Sequence, residues 1–262
     1  MRVQDITDVK HQTIYEDELA TKARATIRDF GLRILPVINE KRKLLAIVSR
    51  REVMSISSSV SPIRVKGIMR DPKYTATIED EAFTVAKEMI KQDEWNIPII
   101  NSAQDKTYKG VLGLENFINA IIRTSPEKLA RPVSEIMSTK NLVTCSPDEE
   151  VDNVWRLMQT RSLAGLPVVR NEKLVGIITE KDLIASAETW PTFESAKGRH
   201  RASSIISSIM KTQVIAVEPF AKAIRVAKVM VSKDIGRVPV VDEKKRLVGI
   251  VDREDIARLI TK

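Results

Sequence analysis

A proline followed by a β-branched residue recurs four times along the chain, at Pro36-Val37, Pro98-Ile99, Pro167-Val168 and Pro239-Val240. Each pair is preceded by a three-residue marker ending at Thr7, Met69, Met137 and Met210 (DIT, GIM, EIM and SIM). Subtraction gives 29, 29, 30 and 29 residues from marker to proline. Each proline is followed by a turn, an apolar run and a polar or acidic helix start at Glu52, Asn116, Asp182 and Asp255. Self-similarity at a near-constant period constrains a fold more than any local propensity, because each unit must bury its apolar face against a neighbour. The chain is four copies of one small unit.

The clearest copy covers residues 165–183, GLPVVRNEKLVGIITEKDL. Two β-branched runs flank the polar turn Arg170-Asn171-Glu172-Lys173, which predicts a β-hairpin. Thr179 follows the second strand, with Asp182 three residues later. That spacing has two readings. Thr179 and Asp182 can form a helix N-cap, with the acid near the positive end of the helix dipole. They can equally form a ligand site, where free N–H groups receive an anion and Asp182 accepts from a ribose diol. The first copy keeps hydroxyl and acid in Ser49-Arg50-Arg51-Glu52. The second, Gly113-Leu114-Glu115-Asn116, lacks both and looks degenerate, and its turn is longer, 18 residues from Pro98 to Asn116 against 15 from Pro167 to Asp182. The fourth has Asp252 in place of the hydroxyl, followed by Asp255.

Helical spacing of Leu19, Ala23, Ile27 and Phe30 predicts a helix over 16–30, and a second is expected over 81–92. Strands are expected at 34–38, 44–48, 97–100 and 110–112. Ser146-Pro147-Asp148-Glu149-Glu150 reads as a helix start, with Val151, Val154, Trp155 and Met158 facing a core. Ile224, Ala227 and Val231 play that part in the fourth copy.

Marker, strand, helix, "lPVv" strand, "lvGiit" strand and T-x-x-D helix together resemble the cystathionine-beta-synthase-type (CBS) domain, an adenosine-nucleotide-sensing module. The resemblance covers 1–54, 65–123, 133–187 and 205–261, most strongly in repeats three and four. It implies an α/β fold of four β-α-β-β-α units, paired into tandem modules 1–123 and 133–262 that form a disc. The gamma subunit of AMP-activated protein kinase has a similar architecture. In the family the carboxylate meets the ribose, the Thr or Ser and the helix start meet phosphate, and apolar backbone holds the adenine.

Carried over, the resemblance implies a ligand site at Thr179 and Asp182, with Val143, Thr144, Gly165, Leu166 and Pro167 around the base. Ser49 and Glu52 offer a variant of it. Repeat four offers Asp255, Val238 and Pro239, but the carboxylate of Asp252 should repel phosphate, since unit charges interact by about 4 kcal/mol at 4 Å with an effective dielectric near 20. That site is expected to be empty or to take an adenosyl group without phosphate, such as S-adenosylmethionine. Lys181, Arg237 and Arg253 stand near the caps to neutralise phosphates.

No Gly-rich phosphate loop, zinc-type Cys/His cluster or GxSxG motif occurs. His11 and His200 both fall in expected loops, and Cys145 reads as a buried small hydrophobe. The expectation is a non-catalytic protein with no required cofactor and no bound metal. With no effector domain fused, output must pass to a separate partner. One cysteine, no long apolar run and no signal-like N-terminus point to the cytoplasm. A monomer and a homodimer both suit four repeats.

The formal net charge is +8. Residues 1–131 carry 22 basic and 18 acidic side chains and 132–262 carry 21 and 17, so each half is +4 and the excess is spread. Basic clusters such as Lys41-Arg42-Lys43 and Lys197/Arg199/Arg201 read either as solvated turns or as a footprint for RNA or the ribosome. The latter cluster lies in 188–204, the longest insertion, which also carries Trp190 and Phe193. The competing functional reading is thus a basic CBS scaffold on RNA.

Overall fold

In the computed structural model of the chain, residues 1–56, 61–186 and 204–261 are described. The first repeat runs β1 (Ile14–Tyr15), α1 (Ala20–Phe30), β2 (Ile34–Ile38), β3 (Leu44–Ser49) and α2 (Arg50–Met54). β1 lies parallel to β2, and β3 returns antiparallel to it. The second repeat has the same order, β4 (Ala76–Thr77), α3 (Ala82–Lys91), β5 (Asn96–Ile100), β6 (Tyr108–Gly113) and α4 (Leu114–Thr124). The third comprises α5 (Val151–Thr160), β7 (Gly165–Arg170), β8 (Lys173–Thr179) and α6 (Glu180–Ser186). The fourth comprises α7 (Ala223–Ser232), β9 (Arg237–Val241), β10 (Leu247–Asp252) and α8 (Arg253–Thr261). In these two repeats the first strand shrinks to single parallel bridges, Cys145 to Val168 and Val217 to Val240.

Local chemistry explains most boundaries. α1 begins at Ala20, four residues later than its apolar spacing suggests, because Ile14 and Tyr15 are drawn into the sheet beside Val37 and Ile38. It ends on Gly31 in the left-handed region at φ 65°. The turn of the third hairpin puts Asn171 and Glu172 at φ 50° and 64°, the double left-handed geometry that matches strand twist. In α7 the fully buried stripe is Ala223, Val226, Ala227 and Met230. Ile224 and Val231, expected in the core, lie on its flank and are only partly buried, because the helix sits rotated by about one residue from the expected face.

Sheets pair the repeats two by two. Ile34, Ile38, Leu44 and Ile47 of repeat one close on Ile100, Tyr108 and Val111 of repeat two. The markers are exchanged within each pair. Val3 donates its N–H to Asp80 of repeat two at 3.0 Å, and Val65 donates to Glu18 of repeat one at 2.8 Å. Val133 donates to Ala221 and Ile206 to Glu149 in the other pair, at 2.8 and 2.9 Å. The four anchoring side chains, Val3, Val65, Val133 and Ile206, are all completely buried. Each such burial contributes about 1.5–3 kcal/mol.

Helices join the pairs. One aliphatic core combines Ala23, Ile27 and Val53 of repeat one with Val154, Met158 and Leu183 of repeat three. A second combines Ala86, Phe117 and Ile118 of repeat two with Val226, Met230 and Ile256 of repeat four. The four repeats therefore close a ring in the order one, two, four, three, and their hairpin starts meet near its centre. Among the described residues, no helix is long and apolar enough to cross a membrane.

Candidate functional site

Two clefts open beside the repeated helix starts. One is bordered by Ile177 and Thr179 of repeat three and, across the sheet interface, by Lys211, Ile215 and Arg237 of repeat four. The other is bordered by Ser49 and Glu52 of repeat one and by Arg70, Trp95 and Asn96 of repeat two. In each case the residue after a marker reaches across to the sister hairpin: Arg70 bridges to Ile47 and Lys211 to Ile177.

The helix-cap geometry is present at both starts. Thr179 donates to Asp182 Oδ2 from its backbone N at 3.0 Å and from its hydroxyl at 2.5 Å. Asp182 Oδ1 meets Lys211 Nζ at 3.1 Å. In repeat one Ser49 N donates to Glu52 Oε2 at 2.6 Å, and Arg70 Nε lies 3.5 Å from Glu52 Oε1. Each carboxylate thus spends one oxygen on the cap and turns the other to a cation at the cleft wall.

At the ring centre charge accumulates. Arg253, 1% exposed, is held by Glu115 Oε2 at 3.0 Å and Asp234 Oδ1 at 2.9 Å. Arg50 closes the end of α1 by donating to the carbonyls of Leu32 and Gly31 at 2.7 and 2.6 Å. Arg33 and Arg237 have no carboxylate within ion-pairing distance among the described residues. Their guanidinium carbons lie 5.2 and 4.8 Å from the ring centroid of Trp95. Burial, then the charges of Arg253 and Arg50, push the Arg33 guanidinium down to about 9. Burial also lowers Arg50 and Arg237, with Glu180 among the acids opposing it in both. Four arginines thus crowd one centre, and nearby acids such as Glu180 and Asp252 offset burial without reaching Arg33 or Arg237 directly.

The remaining expected residues are distributed unevenly. Lys181 borders the Thr179 cleft and lies 3.8 Å from Asp234. Gly165 pairs with Thr179 across the hairpin, Leu166 and Pro167 are buried, and Val143 packs on the core. Val143, Thr144, Gly165, Leu166, Pro167 and Asp182 do not border the cleft that Thr179 shares with repeat four. The reason is that each cleft spans the sheet interface between sister repeats. Val238 and Pro239 are likewise buried, paired with Val251 and Ile250.

In repeat four Asp252 N donates to Asp255 Oδ2 at 2.9 Å, while Asp255 N donates to Asp252 Oδ1 at 3.0 Å. Burial first, and the facing Asp252 charge second, raise Asp255 to about 7. In repeat two Asn116 caps Gly113 N at 2.8 Å. Among the basic turns Lys43 pairs with Asp105 and donates to Thr107 at 2.9 Å, and Arg42 forms the turn itself at φ 56°. Lys41 belongs to the same exposed turn. Lys197, Arg199 and Arg201 lie outside the described residues.

Arg33, Trp95 and Lys211 were missed from the sequence, yet a signal for them existed. Arg33, Trp95, Ala164 and Gly236 each precede the repeated proline by three residues (36 − 33, 98 − 95, 167 − 164, 239 − 236). Arg70 and Lys211 directly follow the markers at Met69 and Met210, where the other copies have Asp8 and Ser138. Column-wise comparison of the repeats finds both.

The CBS domain profile matches residues 3–59, 133–188 and 206–262. The chain belongs to the CBS-domain family. Repeat two falls outside the three matched CBS segments, consistent with its altered helix start and longer hairpin turn, although its order of elements is the same. Protein MJ1225 of Methanocaldococcus jannaschii is 26% identical over 262 residues, covering 94% of each chain. Its crystal structure, described as that of a proposed archaeal homolog of γ-AMPK, superposes with a TM-score of 0.86 at 24% identity, covering 98% of this chain and 99% of that one. The CBS ring architecture is shared as a fold. A conserved protein from Pyrococcus horikoshii superposes at TM-score 0.68 and 20% identity, covering 99% and 100% of the two chains. A CBS domain-containing protein of Dictyostelium discoideum is 35% identical over 133 residues, 50% of this chain and 91% of its own.

Proposed function

We propose that the chain is a non-catalytic sensor of adenosine ligands that passes its ligand state to a separate protein partner. One observation carries the reading: the clefts beside Ser49/Glu52 and Thr179/Asp182 both open on Arg33 and Arg237, two guanidiniums without carboxylate partners. A nucleotide suits such a cleft. Its ribose diol can donate to the cap carboxylate in exchange for Lys211 or Arg70, and its phosphate can meet the arginines. The Thr179 cleft is strongly basic, with six cationic side chains against Asp234 alone, which favours AMP, ADP or ATP there over S-adenosylmethionine; the Ser49 cleft sets six cationic side chains against five acids. The doubly acidic start of repeat four, Asp252 and Asp255, suits only a ligand without phosphate. A sensor needs no more than a difference in affinity between two states of its partner surface.

Thermal unfolding with AMP, ADP, ATP or S-adenosylmethionine tests the reading. A ligand at 100 times its Kd adds about 2.7 kcal/mol. At this chain length that raises the midpoint by roughly 5–10 °C. Asp182→Ala loses a cap, about 1 kcal/mol by itself, so the quantity compared is each protein's own shift on adding ligand. The expected result is a shift with AMP or ATP that shrinks in Asp182→Ala. No shift with any of the four ligands would refute the reading.

A further inference from the structure

Positive charge that is even along the chain is uneven in space. The hairpin starts meet near the ring centre, so the turns of sister hairpins stand together at its two outer ends. At the end made by repeats one and two, Lys43 faces Thr107 across the turns. Leu44 N donates to the Lys106 carbonyl and Tyr108 N to the Arg42 carbonyl, each at 2.8 Å. The stretch after the first marker joins them, because Asp8 bridges to Val111 further along β6. Continued by two residues, the two bridges set Lys41 and Lys10 against Lys109. The Tyr108 phenol lies among them: burial first and the Asp8 charge second raise it, and Arg42 opposes.

Six bases gather at this end, Lys10, Lys41, Arg42, Lys43, Lys106 and Lys109, against Asp8, Glu40 and Asp105. Asp105 is taken by Lys43, and Asp8 meets His11 Nδ1 at 3.1 Å. The other five bases are exposed and have no carboxylate partner among the described residues. The opposite end carries as many bases, Lys140, Arg170, Lys173, Lys244, Lys245 and Arg246, but sets five acids among them, Asp148, Glu172, Glu218, Asp242 and Glu243. There Asp148 pairs with Arg170 and Asp242 with Arg246. A fold that balances one end has no structural need of the excess at the other. Like charges held together cost stability until an anion offsets them.

Within these segments Val9, at 66%, is the one large apolar side chain that is exposed. A protein partner binds chiefly through buried apolar and aromatic anchors, and a membrane takes up an amphipathic helix; this end offers neither. Charge alone is how proteins hold a phosphodiester backbone. Glu40 and Gln104, both exposed in the turns, add acceptors for a 2′-hydroxyl, which deoxyribose lacks. Lysines converging on one point suit a strand that can bend its phosphates around them better than a stiff duplex.

We propose that the paired turns of repeats one and two form a binding surface for single-stranded RNA, engaged through its backbone without base selection. Neither cleft contributes a residue to this surface, so it stands apart from the nucleotide reading.

Fluorescence anisotropy of a labelled oligouridylate of about 20 nucleotides tests it. Each phosphate neutralised on a single strand adds about −0.7 to the slope of log affinity against log salt. Five free bases give a slope of about −3 to −4, a loss of roughly a hundredfold between about 50 and 200 mM salt. Lys41→Gln/Arg42→Asn/Lys106→Gln/Lys109→Gln should flatten the slope to about −1 and weaken binding roughly a hundredfold at about 100 mM salt. Asn suits the left-handed φ of 56° at Arg42, and an unchanged thermal midpoint shows that this variant is folded. Should it unfold, Lys106→Gln/Lys109→Gln alone should give about half the change in slope. Lys173→Gln/Lys244→Gln/Lys245→Gln at the opposite end should change affinity by less than about threefold. A wild-type slope shallower than about −1, an equal loss in the opposite-end variant, or equal affinity for the matching DNA strand overturns the proposal. So does displacement of the RNA by poly-glutamate, or by vesicles of phosphatidylserine and phosphatidylcholine, at matched charge. Those results would assign the surface to an acidic protein or to a membrane.

Discussion

Replacing Asp252 by Thr would give repeat four the Thr-x-x-Asp start of repeat three, and its effect should depend on pH. Asp255 is raised from an ordinary 3.8 to about 7 by burial and by the facing Asp252 carboxylate. A carboxyl with a raised value holds its proton more tightly folded than unfolded. Its contribution is therefore fully present below pH 4 and is lost progressively as pH rises to 7. Across those roughly three units, at about 1.4 kcal/mol each, the loss is about 4 kcal/mol as an upper limit, and about 2–4 kcal/mol once partial solvent access is counted. Burial is the larger cause and stays in the variant. Removing the Asp252 charge should return about 1–2 kcal/mol at pH 8. Thr replaces an Asp that caps Glu254 N and Asp255 N at 2.9 and 3.0 Å, a cost of a few tenths of a kcal/mol. The net expectation, about 0.7–1.7 kcal/mol, is a midpoint about 1.5–7 °C higher than wild type at pH 8, with no gain at pH 5, where Asp255 is already protonated. Scanning calorimetry at the two values measures it. An equal shift at both, or a loss at pH 8, would refute the electrostatic account of this helix start.

Arg253→Met keeps the buried stem but removes the ion pairs to Glu115 and Asp234. Those acids are 28% and 63% exposed and can rehydrate, so the cost should fall to about 2–4 kcal/mol, below that of a fully buried pair. Urea unfolding reads it as a lower midpoint at unchanged slope. The Cys145 thiol is pushed up to about 12 by burial, with Glu149 adding to it. A disulfide reagent at pH 8 should label Cys145 only in denaturant, and immediate labelling in buffer would contradict the buried, protonated thiol.

The repeated unit was legible because proline, turn and apolar run recur at fixed spacing, whereas the pairing of the repeats came only from the resemblance to the CBS domain. The sheet bonds that shorten α1 were not legible. Neither was the reduction of the first strand in repeats three and four to single bridges, where Val143-Thr144-Cys145 and its counterpart look as strand-like as Ile14-Tyr15. The caps could be read from the sequence, but not their depth. Thr179 and Asp182 satisfy each other locally, whereas the far wall of their cleft comes from residues more than 25 positions away. Local spacing groups Thr179 with Gly165 and Pro167, its hairpin partners, and has no access to Lys211 and Arg237 across the interface. The ring order depends on which helix faces pack, and several helices have apolar faces of similar width.

The exchange of markers also fixes what can be cut from this chain. Val65 and Lys66 complete repeat one, although they precede repeat two, and Val3 completes repeat two from the far end of repeat one. A single repeat, excised at its sequence borders, would leave Val65 or Val3 without its pocket and the acceptors at Glu18 or Asp80 unpaired. Two copies of such a fragment could satisfy each other only by trading arms. The pair, rather than the single repeat, is thus the piece expected to fold on its own.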